Sequence, residues 1–353
     1  MKIAILNDTH CDVRNSSDIF LENQTRFYTD TFFPYCIENE ITQVIHLGDY
    51  YDNRKQISLK ALNHNRKIFL NPLVENGMRM DIIPGNHDVY YKNTNELCSL
   101  KELLGHFMNN IHIVMEPTVY EYGGLKLGLV PWINNENYLS TVDWLQNTKA
   151  DILGAHLELS GFEMMRGVKS TVGMDASLFK RFEMVLSGHF HTKSQKDNIY
   201  YLGNQMELTW ADSGDPKYFH VLDTETRELT PIKNPNTLFK KILYNDDKID
   251  YNSIDVPDCT NKFVKVIVQK KSDQFIFERF LDKIQSQSIY ELKIAENFQE
   301  FLGENVNDDG ISIEETSELL NSYIDNVETD LDKKRIKVEM SDLMTEAQSM
   351  DVL

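Results

Sequence analysis

Short apolar runs alternate with stretches of helical spacing through the first 235 residues. That alternation is the pattern of a layered α/β chain. Strands are predicted at 2–7, 43–47, 80–83, 125–130, 152–154, 184–187 and 199–202. Between them, apolar positions at Phe20, Leu21, Phe27, Tyr28, Phe32 and Tyr35 predict a helix over about 17–38. A second helix is expected over 57–75. Pro34 and Pro72 should kink or end these helices, since proline lacks the amide hydrogen that a helix interior needs. Beyond Asp223 the pattern changes. Residues 230–258 contain Pro231, Pro235 and Pro257 and read as a linker with short strands. A small β-α-β unit follows, with strands at 263–268 and 288–294 around a helix at 273–285.

The last fifty residues have a different character. An acidic loop is expected at 303–310, followed by two amphipathic helices. Ser312 and Glu315 have capping-box spacing. Ile313, Leu320, Tyr323, Ile324 and Val327 share one face, and Ile336, Met340, Leu343, Met344 and Ala347 form the next stripe. This tail could fold back on its own domain or offer a face to a partner. The pattern divides the chain into 1–235, 236–302 and 303–353.

Composition refines this picture in two ways. The net charge is −19, but residues 303–353 hold fourteen acids and four bases, a net of −10, which leaves −9 on the first 302. Bulk acidity argues against non-specific nucleic-acid binding by the isolated chain, yet leaves room for a local basic track. No apolar run approaches a membrane span, and the N-terminal apolar run meets Asp8 too early for a signal peptide, so a cytoplasmic location is expected. Cys11, Cys36, Cys98 and Cys259 form no CxxC pair and read as reduced thiols.

The candidate chemistry lies at the strand ends. Asp8-Thr-His10, Gly48-Asp49, Gly85-Asn86-His87-Asp88, His156 and Gly188-His189-Phe-His191 each follow a predicted strand. Each motif alone is commonplace. The ordered set is not, because side chains at the carboxyl ends of neighbouring strands converge on one rim of a sheet. Two Asp, one Asn and several His make an oxygen and imidazole donor set without thiolate. It suits Mn, Fe, Zn, Co or Ni, with Mg also admitted, rather than a structural zinc site. An aspartate can bridge two cations, and Asp49 sits in a tight Gly-Asp corner. His46, His64, His106, His112 and His220 lack such a setting and are expected to be structural; His46, three residues before Asp49, is the one to watch. Arg54, Lys55, Lys60, Arg66 and Lys67 could form a phosphate track or a solvated helix face.

The five motifs resemble those of the calcineurin-like metallophosphoesterases over roughly residues 1–225. The stretches GDYYDNRK, GNHDVYYKN, GAHLELSGF, GHFHT and VLDTETRE add a likeness to the SbcD-type DNA break-repair nucleases, most of all to the T-even phage form. The resemblance implies a β-sandwich flanked by helices, a small α/β DNA-capping domain and C-terminal helices that bind a coiled-coil ABC-type ATPase of the SbcC kind. It implies a homodimer and two divalent metals, Mn foremost. Asp8, His10, Asp49 and His191 would hold one metal, and Asp49, Asn86, His156 and His189 the other. His87 would be the catalytic histidine, with Asp88 as its orienting carboxylate. The implied activity is two-metal exonuclease and endonuclease cleavage of DNA; if the basic residues form a phosphate track, Arg54, Lys55 and Lys60 would lie near its backbone. The rival readings are a phosphoesterase acting on a small molecule or protein phosphate, and a metal-free binding scaffold.

Overall fold

A computed structural model describes residues 1–165, 168–295, 324 and 332–340. The chain divides into two units. One comprises Met1–Leu208 and Pro216–Asn236; the other comprises Thr209–Asp215 and the chain from Thr237 onward.

The first unit is built on two six-stranded sheets. In one, Lys2–Leu6, Gln43–His46, Arg79–Ile82 and Ile111–Ile113 run parallel in that order. Tyr218–Asp223 pairs antiparallel with Lys2–Leu6 and carries the edge strand Leu229–Lys233. Pro231 is tolerated there because an edge strand can spare an amide hydrogen. In the other sheet Leu125–Val130, Ile152–His156, Met184–Gly188 and Ile199–Tyr201 run parallel, with Thr118–Tyr122 and Ser194–Lys196 antiparallel at the edges. Ile3, Ile5 and Ile45 of the first sheet pack with Leu127, Leu129, Ile152 and Leu186 of the second, so the main core lies between the sheets. This is the sandwich that the family resemblance implies.

Aromatic side chains cover the outer face of the first sheet. Phe32 and Tyr35 lie 5.2 and 5.6 Å from the Phe219 ring, and Tyr28 lies 4.7 Å from Phe69. The helices that carry them do not break at their prolines. Asp18–Phe27 continues through a π-helical turn, Tyr28–Phe32, into Phe33–Glu38. Leu59–Asn65, capped by the Ser58 hydroxyl, passes through Arg66–Leu70 into Asn71–Glu75 in the same way. In each π turn the amide just before the proline, Phe33 or Asn71, donates five residues back, to the Tyr28 or Arg66 carbonyl, so the expected break becomes a bulge.

The second unit has a parallel sheet in the order Phe239–Asn245, Phe263–Lys270, Glu291–Ala295, with helix Gln274–Gln285. Asp273 caps that helix through the Phe275 and Ile276 amides. Phe277, Phe280 and Ile284 bury their side chains against Tyr244, Val264 and Val266. The first strand of this sheet, Phe239–Asn245, falls in the stretch that reads as linker from its prolines. Most of the two tail helices expected from the sequence lies outside the described residues; within them, 333–340 are helical.

Candidate metal centre

Three neighbouring strands of the first sheet and two of the second deliver the motifs. Lys2–Leu6, Gln43–His46 and Arg79–Ile82 lead to Asp8, Asp49 and Asn86, while Ile152–His156 and Met184–Gly188 lead to His156 and His189. The chain turns abruptly after each strand. Asp8, His10, Asp49 and His189 all have positive φ, at 47°, 42°, 53° and 86°. Non-glycine residues avoid this region, and such strain persists only where the surroundings hold it in place. Here a ladder between loops does so. The Asp8, His10 and Cys11 amides donate to the Gly48, Asp49 and Tyr50 carbonyls at 2.9, 3.2 and 2.9 Å. Gly85 is required for a separate reason: a Cβ there would lie 2.2 Å from Asp49 Oδ1.

Two donor sets result. Asp8, His10 and His191 form one, and Asp49, His156 and His189 the other, each with ligand atoms within 4.8 Å of one another. His10 Nε2 faces His191 Nε2 at 3.2 Å. Asn86 Oδ1 completes the second set, 3.0 Å from His156 Nε2 and 2.9 Å from His189 Nδ1. Asp49 Oδ2 adjoins both sets, 3.3 Å from His156 Nε2 and 4.0 Å from His10 Nε2. All seven side chains expected as ligands are therefore brought together, and Asp8, His10, Asp49 and His156 are buried.

The chemistry of these donors fits cations. His156 Nδ1 lies 2.7 Å from the Leu47 carbonyl, which can only accept, so Nδ1 carries the hydrogen and Nε2 directs its lone pair toward Asp49 and Asn86 oxygens. A convergence of lone pairs needs positive charge at its centre. Without a metal, protons supply it. Burial disfavours an imidazolium at His10 and His156, but the Asp52, Asp49 and Asp8 carboxylates around the first raise it to about 10, and Asp49 and Asp8 raise the second to about 9. Asp49 in turn is held well below the usual carboxylate range by His156, His87 and His10, against the effect of its own burial. His189 is pushed well below the ordinary imidazole value, by burial first and then by the charge on His156.

The GNHD loop departs from expectation at one residue. Asp88 does not orient His87. It accepts the amides of Tyr50 at 3.0 Å, Tyr51 at 3.1 Å and Gly85 at 2.9 Å, and so clamps the two ligand loops together. Burial and the nearby charge of Asp49 push its carboxyl upward. The His87 amide donates to Asp49 Oδ1 at 2.8 Å, and its Nδ1 lies 2.5 Å from the Asp52 carbonyl. Asp52, His10 and His87 form a third grouping of donors, with Asp52 Oδ1 3.1 Å from His10 Nδ1. Sequence reasoning missed Asp52, although its place three residues after Asp49 was a signal. It also missed Asn7, which donates to Asp8 Oδ2 at 2.5 Å and to the Gly203 carbonyl, and Gln205, which donates to the Asn7 carbonyl. The Trp132 ring, 5.4 Å from His189 and 5.9 Å from His156, walls one side.

Outside the centre, His46, His64, His106, His112 and His220 join none of the donor groupings found among the described residues. His46 is buried, with Nε2 3.0 Å from the Thr9 hydroxyl, and belongs to none of the three groupings. Cys11 is buried and its thiol is pushed well up. Lys60 lies 2.7 Å from Asp18 on an exposed face, Lys55 is exposed, and Arg54 is half-buried.

Residues 1–193 match the family described as calcineurin-like phosphoesterase. The chain belongs to that family. It is also 30% identical over 351 residues to exonuclease subunit 1 of Enterobacteria phage T4, covering 98% of this chain and 99% of that protein. Among solved structures it resembles a novel archaeal phosphodiesterase, at 18% identity and a TM-score of 0.36 over 66% of this chain and all of the other. It also resembles the calcineurin-like phosphoesterase YfkN of Bacillus subtilis, at 13% and 0.31 over 66% of this chain and 88% of the other. At those scores neither adds weight to the assignment. As a calcineurin-like phosphoesterase, the protein is a metal-dependent phosphodiesterase. Among the described residues no helix is long and apolar enough to cross a membrane.

Proposed function

We propose that this phosphodiesterase is a DNA nuclease, cutting as exonuclease and endonuclease with two Mn ions, and that it works as the nuclease subunit of a recombination and repair complex. Near full-length similarity to a phage exonuclease subunit supports DNA as the substrate. The convergence of two donor sets on Asp49 Oδ2 carries the chemistry. Asp8, His10 and His191 would hold one cation, Asn86, His156 and His189 the other, with Asp49 between them. Bound there, the cations supply polarisation of a phosphate and an activated water.

The chain's own part is positioning and proton transfer. The Asp52 carbonyl accepts from His87 Nδ1, so that nitrogen carries a hydrogen and Nε2 is the one turned to reacting groups. From Nε2 the imidazolium protonates the leaving oxygen. Trp132 keeps water from one side of the His156–His189 pair. Arg54, Lys55 and Lys60 are proposed to approach the DNA backbone. Residues 236–302 are read as a DNA-capping domain, and 303–353 as the segment that binds a coiled-coil ABC-type ATPase. The nuclease is proposed to act as a homodimer.

An end-labelled duplex and its single strands, incubated with Mn or Mg, with and without the ATPase, test the reading. Wild-type protein should release labelled fragments only with metal. His87→Ala should bind both metals and turn over about 10²–10⁴-fold more slowly. Cleavage at the wild-type rate by His87→Ala would end its proposed role. Hydrolysis of a small chromogenic phosphodiester with no DNA cut under any of these conditions would replace DNA with a small-molecule substrate.

A further inference from the structure

The ladder between the first two ligand loops ends on a side chain that no motif contains. Three backbone hydrogen bonds, from Asp8, His10 and Cys11, tie the first loop to the second. At the next step the direction reverses. The Asp52 amide donates to Asp12 Oδ1 at 2.6 Å, and the Asn53 amide donates to Asp12 Oδ2 at 3.4 Å. Asp12 is 5% exposed, so these amides are its means of satisfying a buried carboxylate. Hydrogen bonds to an ionised acceptor are the stronger kind, and two adjacent amides on one carboxylate fix the direction of the peptide as well as its distance.

The clasped residue bears on two neighbouring groups. The Asp52 carboxylate sits 3.1 Å from His10 Nδ1, and the Asp52 carbonyl sits 2.5 Å from His87 Nδ1. We infer that Asp12 is a positioning residue for the reaction. Through the amides of Asp52 and Asn53 it sets the orientation of His87. Asp12 itself belongs to none of the donor groupings among the described residues. A displacement of about 1 Å in a group that orients a catalytic side chain can cost on the order of 100-fold in rate. The inference rests on the role proposed for His87, and not on DNA as the substrate.

The test uses the full-length protein and a chromogenic phosphodiester at saturating Mn. Asp12→Ala should lower kcat by about 10–100-fold with little change in KM. Asp12→Asn keeps an acceptor for the closer amide and should stay within about 3-fold of wild type. In a His87→Ala background, Asp12→Ala should add less than about 2-fold, because the group it orients is gone. A readout independent of turnover is the metal-free protein with ring-labelled histidine, where Asp12→Ala should shift the His87 imidazole resonances and spare those of His112. If Asp12→Ala does not fold, Asp12→Ser takes its place in the same cycle, being too short to reach both amides. Full kcat in the alanine or serine variant, or an equal loss with and without His87, would overturn the inference. A His87→Ala variant with wild-type turnover would remove the proposed role and the inference together. A slow His87→Ala beside a fast Asp12→Ala would overturn the inference alone.

Discussion

Asp88 shows how a residue beside a reactive one can serve the fold. Its carboxylate holds three amides of two loops, and each would be left buried and unpaired if it were removed. An orphaned buried amide costs about 1–3 kcal/mol. Asp88→Ala should therefore destabilise the protein by about 3 kcal/mol or more, read as a shift in the urea midpoint. The metal content should fall with it, because the clamp holds the loop of Asp49. His87→Ala makes the contrast. Its ring is half-buried at the margin of the centre, so turnover should fall while the midpoint holds. Side by side, the two variants separate a folding role from a catalytic one within a single tetrapeptide.

Among the elements, the antiparallel strand Tyr218–Asp223 carries a histidine with nothing to bond. His220 is buried, and among the described residues neither ring nitrogen has a hydrogen-bond partner. Burial lowers it to about 3, and the nearby Lys193 ammonium adds to the effect. With a folded value below the ordinary 6.5, the folded state binds fewer protons than the unfolded chain. The contribution to stability is then complete above pH 6.5 and is lost as pH falls from there toward 3. Each pH unit in that window costs about 1.4 kcal/mol. Unfolding free energies at pH 7.5 and 5.5 should therefore differ by about 1.4 kcal/mol more in wild type than in His220→Leu. Equal pH dependence in the two proteins would show that the ring is hydrated or partnered. The helices that carry Pro34 and Pro72 make a related point: a local rule about proline identified the place of the irregularity and mistook its form.

For the whole molecule, the centre joins strands from both sheets of the first unit across more than 180 residues of sequence. The His189 amide bonds to Asp8 at 3.0 Å, and His10 faces His191. Cations bound here should act as a cross-link present only in the folded state. At a metal concentration 100-fold above Kd, such binding stabilises by about 2.7 kcal/mol. For a domain of this size that corresponds to a rise of roughly 5–10 °C in Tm. Calorimetry of chelator-stripped protein, with and without Mn, should show that rise in wild type and none in Asp49→Ala. The charge distribution belongs to the same scale. Ten of the nineteen net negative charges lie in the last fifty-one residues, so the remaining chain is far less hostile to a polyanion than its total suggests.

The sequence by itself determined seven strands of the two sheets, the sites of chemistry at the strand ends and the family they belong to; it left out Ile111–Ile113, Thr118–Tyr122, Ser194–Lys196, Tyr218–Asp223 and Leu229–Lys233. Each feature it determined depends on spacing within a few residues, where apolar alternation and a following Gly-Asp or Gly-Asn-His leave little choice. Only the tertiary structure decided what Asp88, Asp52, Asp12, Asn7 and Gln205 do. Apart from the contact of Asn7 with its neighbour Asp8, their partners lie between 3 and 198 residues away, and an acid or amide has no local signature that says which buried group it will meet. The stretch around Phe239–Asn245 read as a linker with short strands, and only the structure made this strand part of the second unit's sheet. Its pairing with Phe263–Lys270 satisfies its backbone, and no periodicity within the strand itself could announce that partner.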